Sequence, residues 1–300
     1  MAGMRAPERL GKWLVSGPPL VYLVVFFALP TLIMVLASFR TPGEFGGLAP
    51  LVDEAGKVDL NVDSYVRFFT EPVYAEVFLK SVWYALLTTV LCLTLAYPLA
   101  MLIARSSKRY RDLLLLLVIL PFWSNFLIRV YAWMIILGPQ AALARGVNGV
   151  LAAMGGEPVP LLFSSFAVLV CLVYVHLPFM VLPLYANLEK HDQALLDAAQ
   201  DLGANAWQRF WRITFPLSLP GVYAGAALVF IPALGIFAIP DILGGPDDSL
   251  IGNVIKQQFL ETRDWPFGSV LSIVLTMAAL ALAALAAWVG RRSSGAASRA

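Results

Sequence analysis

Ionisable side chains are scarce in the apolar stretches of this 300-residue chain, so the few that occur there carry most of the chemistry available to it. Arg129 is the single charge between Leu113 and Leu137 and stands among Trp123, Asn125, Tyr131 and Trp133. A lone cation in an apolar helix costs at least about 2.5 kcal/mol in lipid and usually faces protein or water. Two arrangements would satisfy it. Either it lines a polar pathway or gate, or it snorkels and pairs with a carboxylate such as Asp241 or with the carbonyls of a helix C-terminus. Phe230, Leu234, Phe237 and Asp241 follow at spacings of four, three and four, which would put them on one helix face. A carboxylate with aromatic neighbours attracts an ammonium by charge and by cation–π contact. The same residues would equally suit a helix that ends beside Pro240 in water. Tyr174 and His176 are weaker candidates, since a packed histidine explains that position without a ligand. Trp123, Arg129, Tyr174, Phe237 and Asp241 are thus the candidate pathway residues.

A second constellation occupies Leu188 to Pro220 and suggests docking. Leu195, Ala198, Ala199 and Leu202 repeat at i, i+3, i+4 and i+7, an apolar stripe on a short helix, with Asp197, Gln200 and Asp201 on the other side. Asp192 can cap the start of that helix and Gly203 its end, and Asn205 can open a second short helix carrying Trp207, Phe210 and Trp211. The spacing predicts a helix-turn-helix elbow. Amphipathic loops often lie on headgroups, anchored by Trp and Arg. Three aspartates would be repelled by an anionic leaflet, so the stripe points to a protein partner.

Little else suggests catalysis. The sequence lacks a G-x-x-x-x-G-K-[ST] loop, an H-E-x-x-H helix, a histidine pair at haem spacing and paired intramembrane carboxylates, which leaves an intramembrane enzyme or redox subunit without a basis. Cys92 and Cys171 both fall in apolar runs as small packing residues, so no disulfide framework, metal site or cofactor is expected. The net charge of +2 gives no support to nucleic-acid binding.

The elements that must position these residues follow from composition. Only 13% of residues are charged and 60% are apolar, against about a quarter charged in a soluble domain. The charges cluster and leave uncharged runs longer than the roughly 20 residues a span needs, 27 of them between Lys12 and Arg40 and 28 between Arg212 and Asp241. Six spans are expected, at about 13–39, 81–104, 113–137, 160–188, 213–240 and 266–290. All should be helical, because a lone strand in lipid leaves its amides unpaired. The prolines within them are read as kinks, and Gly221, Gly225 and Gly235 as close-packing positions in the fifth.

Arg5, Arg9 and Lys12, then Arg105, Lys108, Arg109 and Arg111, then Arg291, Arg292 and Arg299 fall on one side by parity, while the alternate loops are acidic. Both termini are therefore expected in the cytoplasm, 1–12 as the N-terminus and 291–300 as the tail, with the elbow at 189–212. The first run is read as a retained span, too long for a cleavable signal. The outer segments are 40–80, with Asp53, Glu54, Asp59 and Asp63, and 241–265, where a Gly-Gly-Pro-Asp-Asp turn precedes Leu250 to Leu260, spaced for a short helix.

Asp197-Ala198-Ala199, then Gly203, then Ile213-Thr214-Phe215-Pro216 resembles the EAA loop of type I ABC importer permeases, with Asp197 where Glu is usual, a change of one methylene that keeps the charge. Leu120 to Trp123, Leu127 to Trp133, Leu177 to Met180 and Leu250 to Ile255 are similar to spermidine/putrescine permease subunits of the PotB type, and the likeness extends over nearly the whole chain. The resemblance implies an all-α, six-helix MetI-like transmembrane domain in the inner membrane. It implies a homologous second permease, a cytoplasmic ATPase dimer and an external solute-binding protein as partners. Asp197, Ala198, Ala199 and Gly203 are then the ATPase-coupling residues, and energy enters from another chain. A polyamine is the expected solute. An opine, an amino-acid derivative, thiamine or an oxyanion is the alternative: Arg129 would favour an anion and the acidic outer loops a cation.

Overall fold

A computed structural model describes residues 6–52 and 60–297. Asp53, Glu54 and Asp59 of the acidic segment, Arg5 and Arg299 lie outside those residues. The described residues are helical apart from turns, loops and one antiparallel bridge between Pro42 and Leu48. Six helical segments among them are long and apolar enough to cross a membrane: Val15–Ala37, Pro72–Arg105, Phe126–Ala153, Ser165–Leu188, Ala206–Leu234 and Trp265–Ala284.

In chain order the helices are α1 (Ala6–Leu23), α2 (Leu29–Ser38), α3 (Asp63–Thr70), α4 (Pro72–Arg105), α5 (Lys108–Ile119), α6 (Phe126–Leu137), α7 (Ala142–Ala153), α8 (Ser165–Leu188), α9 (Gln193–Asp201), α10 (Ala206–Arg209), α11 (Phe215–Leu234), α12 (Ala238–Leu243), α13 (Ile251–Leu260) and α14 (Trp265–Ala297). A π turn, Val24–Ala28, joins α1 to α2, and another, Phe210–Thr214, joins α10 to α11. The apolar spacing after Leu250 forms α13 as expected.

Two expected helices are broken. The 113–137 run divides at a 3-10 turn, Leu120–Trp123, because Pro121 has no amide hydrogen and Asn125 opens α6, its Oδ1 accepting the Leu127 N–H at 2.8 Å. The fifth span ends at Gly235, and α12 starts afresh after Phe237. Phe230 and Leu234 therefore lie on α11, and Asp241 lies on α12 with Phe237 at its N-cap. The spacing of four, three and four assumed an unbroken helix, so these four residues do not form one helix face.

The chain forms two compact units. In the first, residues 6–72 with 255–274, Ser38 Oγ lies 2.8 Å from Tyr65 Oη, and Arg67 pairs with Glu71 at 3.2 Å and Asp264 at 3.3 Å while lying 4.3 Å over the Phe267 ring. The second, residues 73–254 with 275–297, carries the candidate residues. Its axis is the pairing of α8 with α11, which small residues permit. A Cβ on Gly221 would come 2.8 Å from Asn187 Cβ, and one on Gly225 2.6 Å from Met180 Sδ. Around that pair, Cys92, Ala96, Ala100 and Ile103 of α4 pack on Met180, Val181, Leu184 and Val229. A second apolar cluster joins Val130 and Leu137 of α6 to Ala167, Cys171 and Leu172 of α8 and to Ile239 and Leu243 of α12. Each buried aliphatic side chain there is worth roughly 1.5–3 kcal/mol in removal from water, and less in removal from lipid, where close packing decides.

Candidate functional site

Residues 189–212 form a helix-turn-helix elbow built on α9 and α10. Asp192 Oδ1 accepts the Ala194 N–H at 2.9 Å and starts α9. At the other end Gly203, at φ +83°, lets its own N–H reach the Gln200 carbonyl at 2.8 Å and the Ala204 N–H reach Ala199 at 2.9 Å. That pair of bonds is a Schellman closure, which needs a left-handed residue. Two residues on, Asn205 and Gln208 exchange side chain-to-backbone bonds of 2.8 and 3.0 Å, a capping box for α10. Arg209 Nη1 donates to Gln200 Oε1 at 2.6 Å and ties the two short helices together. The turn between them is thus fixed at both ends.

The apolar stripe of the elbow does not find cover within the chain. Leu202 is 89% exposed and Trp207 70% exposed, Leu195 and Ala198 are exposed, and Ala199 is half-buried. Asp197 lines a cavity of about 800 Å³ together with Arg105, Arg111, Glu189, His191 and Arg209. Arg111 pairs with Glu189, and its second guanidinium nitrogen reaches the Ala104 carbonyl at 3.3 Å, so the elbow's first residue is tied to the α4–α5 corner. Burial holds His191 below the ordinary histidine range, partly opposed by its hydrogen bond to the Leu217 backbone. Aromatic contacts continue inward. Trp207 meets Trp211 at 5.6 Å, Phe210 meets Tyr97 of α4 edge-on at 5.4 Å, and Tyr97 Oη lies 2.8 Å from Ser218 Oγ of α11. The elbow is thus packed against α4 through the Phe210 and Tyr97 rings, and Tyr97 in turn bonds to α11.

The candidate pathway residues other than Trp123 are each held by their own local contacts. Arg129 is half-buried; its Nη1 donates to the Pro121 carbonyl at 3.1 Å and its guanidinium lies 5.0 Å over the Phe122 ring. It braces the break between α5 and α6, the arrangement with helix-terminal carbonyls. Trp123 is 75% exposed. Tyr174 packs edge-on against Trp133 at 5.5 Å, in the apolar cluster of α6 and α8. Phe237 and Asp241 are exposed, and both are held by Asn253, whose Nδ2 donates to the Phe237 carbonyl at 2.9 Å and to Asp241 Oδ1. His176 is buried, its Nδ1 on the Leu172 carbonyl at 2.8 Å, the packed histidine that its position suggested.

Sequence reasoning passed over Asp248, placing it only in an acidic turn. Its carboxylate accepts from Tyr84 Oη at 3.2 Å, from Ser165 Oγ and from the Gly245 N–H at 2.9 Å, with Lys80 Nζ at 3.9 Å. Burial alone would raise this carboxyl; the hydrogen bonds from Ser165, Gly245 and Tyr84 and the charge of Lys80 outweigh that and hold it below the usual aspartate range. The available signal was the Gly244-Gly245 pair, where a Cβ would come 2.6 Å from the Pro240 carbonyl oxygen and 2.8 Å from that of Phe163. Lys80 and Arg105 stand 25 residues apart on α4, about 37 Å of helix, so this cluster and the elbow cavity lie at opposite ends of one span.

Six apolar helices with a rigidly capped elbow that leaves its apolar side chains uncovered define an integral membrane subunit working with other chains. The chain belongs to the family of binding-protein-dependent transport system inner membrane components, whose model matches residues 96–294. It is 45% identical over 258 residues to the spermidine/putrescine transport system permease protein PotB of Escherichia coli (strain K12), spanning 85% of this chain and 89% of that protein. To the PotB of Haemophilus influenzae it is 42% identical, over 85% of this chain and 86% of that one. A crystal structure of a bacterial alginate ABC transporter in complex with an alginate pentasaccharide-bound periplasmic protein shares the fold, with a TM-score of 0.70 at 19% identity over 96% of this chain and 98% of that one. The protein is a multi-pass, all-α permease subunit of an ABC importer, a transport subunit and not an enzyme.

Proposed function

We propose that this permease imports polyamines of the spermidine and putrescine class. The observation that carries the reading is the 45% identity, over most of both chains, to a spermidine/putrescine permease. In this reading the chain sits in the inner membrane beside a homologous second permease. The elbow meets a cytoplasmic ATPase dimer through Asp197, Ala198, Ala199 and Gly203, with Leu202 and Trp207 as the apolar knobs, and an external binding protein delivers the solute. Trp123, Arg129, Tyr174, Phe237 and Asp241 remain the proposed pathway residues, with Arg129 acting through the helix break it braces. Both termini, residues 105–112 and the elbow face the cytoplasm, and 40–80 and 241–265 face outward, in keeping with the Lys and Arg bias.

The test is ATP-dependent uptake into vesicles by the complex with its cognate ATPase and receptor. Labelled spermidine or putrescine should accumulate and thiamine, an opine or an oxyanion should not; uptake of one of the latter in place of polyamines would sink the reading. For orientation, an impermeant thiol reagent added outside should modify Thr70→Cys but not Ser107→Cys. Background is low, because Cys92 and Cys171 are fully buried. The reverse labelling would invert the topology.

A further inference from the structure

One buried carboxylate in this chain already holds an alkylammonium group, and that group is the protein's own. The Asp248 side chain is 7% exposed, and Lys80 Nζ, 3.9 Å from its Oδ1, also donates to the Asp247 carbonyl oxygen and stands 6.0 Å from the centre of the Tyr84 ring. Carboxylate, carbonyl and aromatic face together recognise a primary ammonium, by charge, by directed hydrogen bonding and by the ring quadrupole. The cage is built independently of its occupant. Ser165, Tyr84 and the Gly245 N–H orient both carboxylate oxygens, and the crowded Gly244-Gly245 turn fixes the backbone that carries them. Lys80 reaches in over a four-carbon stem and is 32% exposed, so its ammonium can leave toward solvent without unpacking the core. Four methylenes ending in an ammonium are also one end of putrescine.

We propose that this cage is an alkylammonium site, filled by Lys80 at rest and taken over by the terminal ammonium of an incoming polyamine as Lys80 swings out. The exchange keeps the charge balanced, since one ammonium replaces another beside Asp248 and no unpaired carboxylate is left buried. The identity of the solute rests on the polyamine reading; the existence of the cage does not.

The test uses the assembled importer without its receptor. Lys80→Ala removes the resident ammonium, and millimolar n-butylammonium or putrescine should then raise the melting temperature by about 2–4 °C relative to the same variant without amine. Uncharged n-butanol and anionic butyrate should do nothing, and Lys80→Ala with Asp248→Asn should abolish the rise. If Lys80→Ala does not assemble, Lys80→Met keeps most of the stem, and the same amine-specific shift is required of it. Amines that stabilise neither variant beyond wild type overturn the proposal. Rescue without polyamine uptake by the wild-type complex would keep the cage and sink the polyamine reading. Uptake without rescue would do the opposite.

Discussion

The elbow and the Asp248 cluster lie at opposite ends of α4 and solve opposite problems. The elbow satisfies every cap within itself, through Asp192, Gly203 and the Asn205–Gln208 box, yet turns Leu202 and Trp207 outward. The Asp248 cluster buries its charge and satisfies it from α4, α8 and its own turn. Rigid backbone with uncovered apolar side chains is a surface prepared for another chain. A buried carboxylate with an exchangeable cation is a device prepared for a solute or for a change of state. Under the proposed function the elbow meets the energy source at one end of α4 and the Asp248 cage meets the solute at the other.

The largest expected effect tests the elbow. Gly203→Val places a β-branched residue at φ +83°, where an L-residue pays about 1–2 kcal/mol, although the space around Gly203 is open. The cost therefore falls on elbow geometry and leaves the bundle core intact. ATP-driven uptake should drop about tenfold, the factor such a strain makes in the population of the docked elbow, while the variant inserts and folds. Normal uptake with the ATPase bound would show that the elbow is not the coupling element.

A smaller and differently shaped effect is expected at the other end. Asp248→Asn keeps the shape but leaves Lys80 without its charge partner, and should cost about 1–3 kcal/mol of stability. Because the folded-state carboxyl lies below its ordinary value of 3.8, its contribution is fully present above that pH and is lost as pH falls through the depressed folded value. The melting-temperature gap between wild type and Asp248→Asn should stay constant from neutrality down to about pH 4 and close only below it. A gap that closes near pH 6 would mean a raised carboxyl and a cluster governed by burial alone.

These two ends were not equally legible. The elbow could be read from sequence because its signals are local: a cap, a stripe at helical spacing and a glycine within a dozen residues. The membrane spans were legible for the same reason, as runs of uncharged residues. Asp248 was not, since its partners Lys80, Tyr84 and Ser165 are 83 to 168 residues away and their approach depends on how α4 and α8 pack. The breaks at Pro121 and Gly235 fell between. Proline and glycine marked them, but tolerance of both in membrane helices made a kink as reasonable an expectation as a full stop.

Two further substitutions separate bracing from conduction. Arg129→Gln removes the bond to the Pro121 carbonyl and the contact over Phe122, two interactions together worth about 1–2 kcal/mol, so the α5–α6 break should loosen. Assembly yield and melting temperature should fall while uptake per assembled complex stays near wild type. Abolished transport in a well-folded complex would instead mean that Arg129 contacts the solute directly and would favour an anionic solute. Asp241→Asn is the mildest of the set. Asp241 is exposed on a helix of six residues, and the substituted amide can turn its oxygen to Asn253 and keep that bond while the charge is lost. If Asp241 lies on the cation route, uptake of a di- or tri-cation should fall about two- to fivefold, a modest change because water screens an exposed charge. Raising the salt concentration should shrink the difference between wild type and variant, and the receptor's own affinity should not change, since that site is on another chain. Wild-type uptake by Asp241→Asn at low salt would remove this residue from the route and leave Asp248 as the carboxylate that meets the solute.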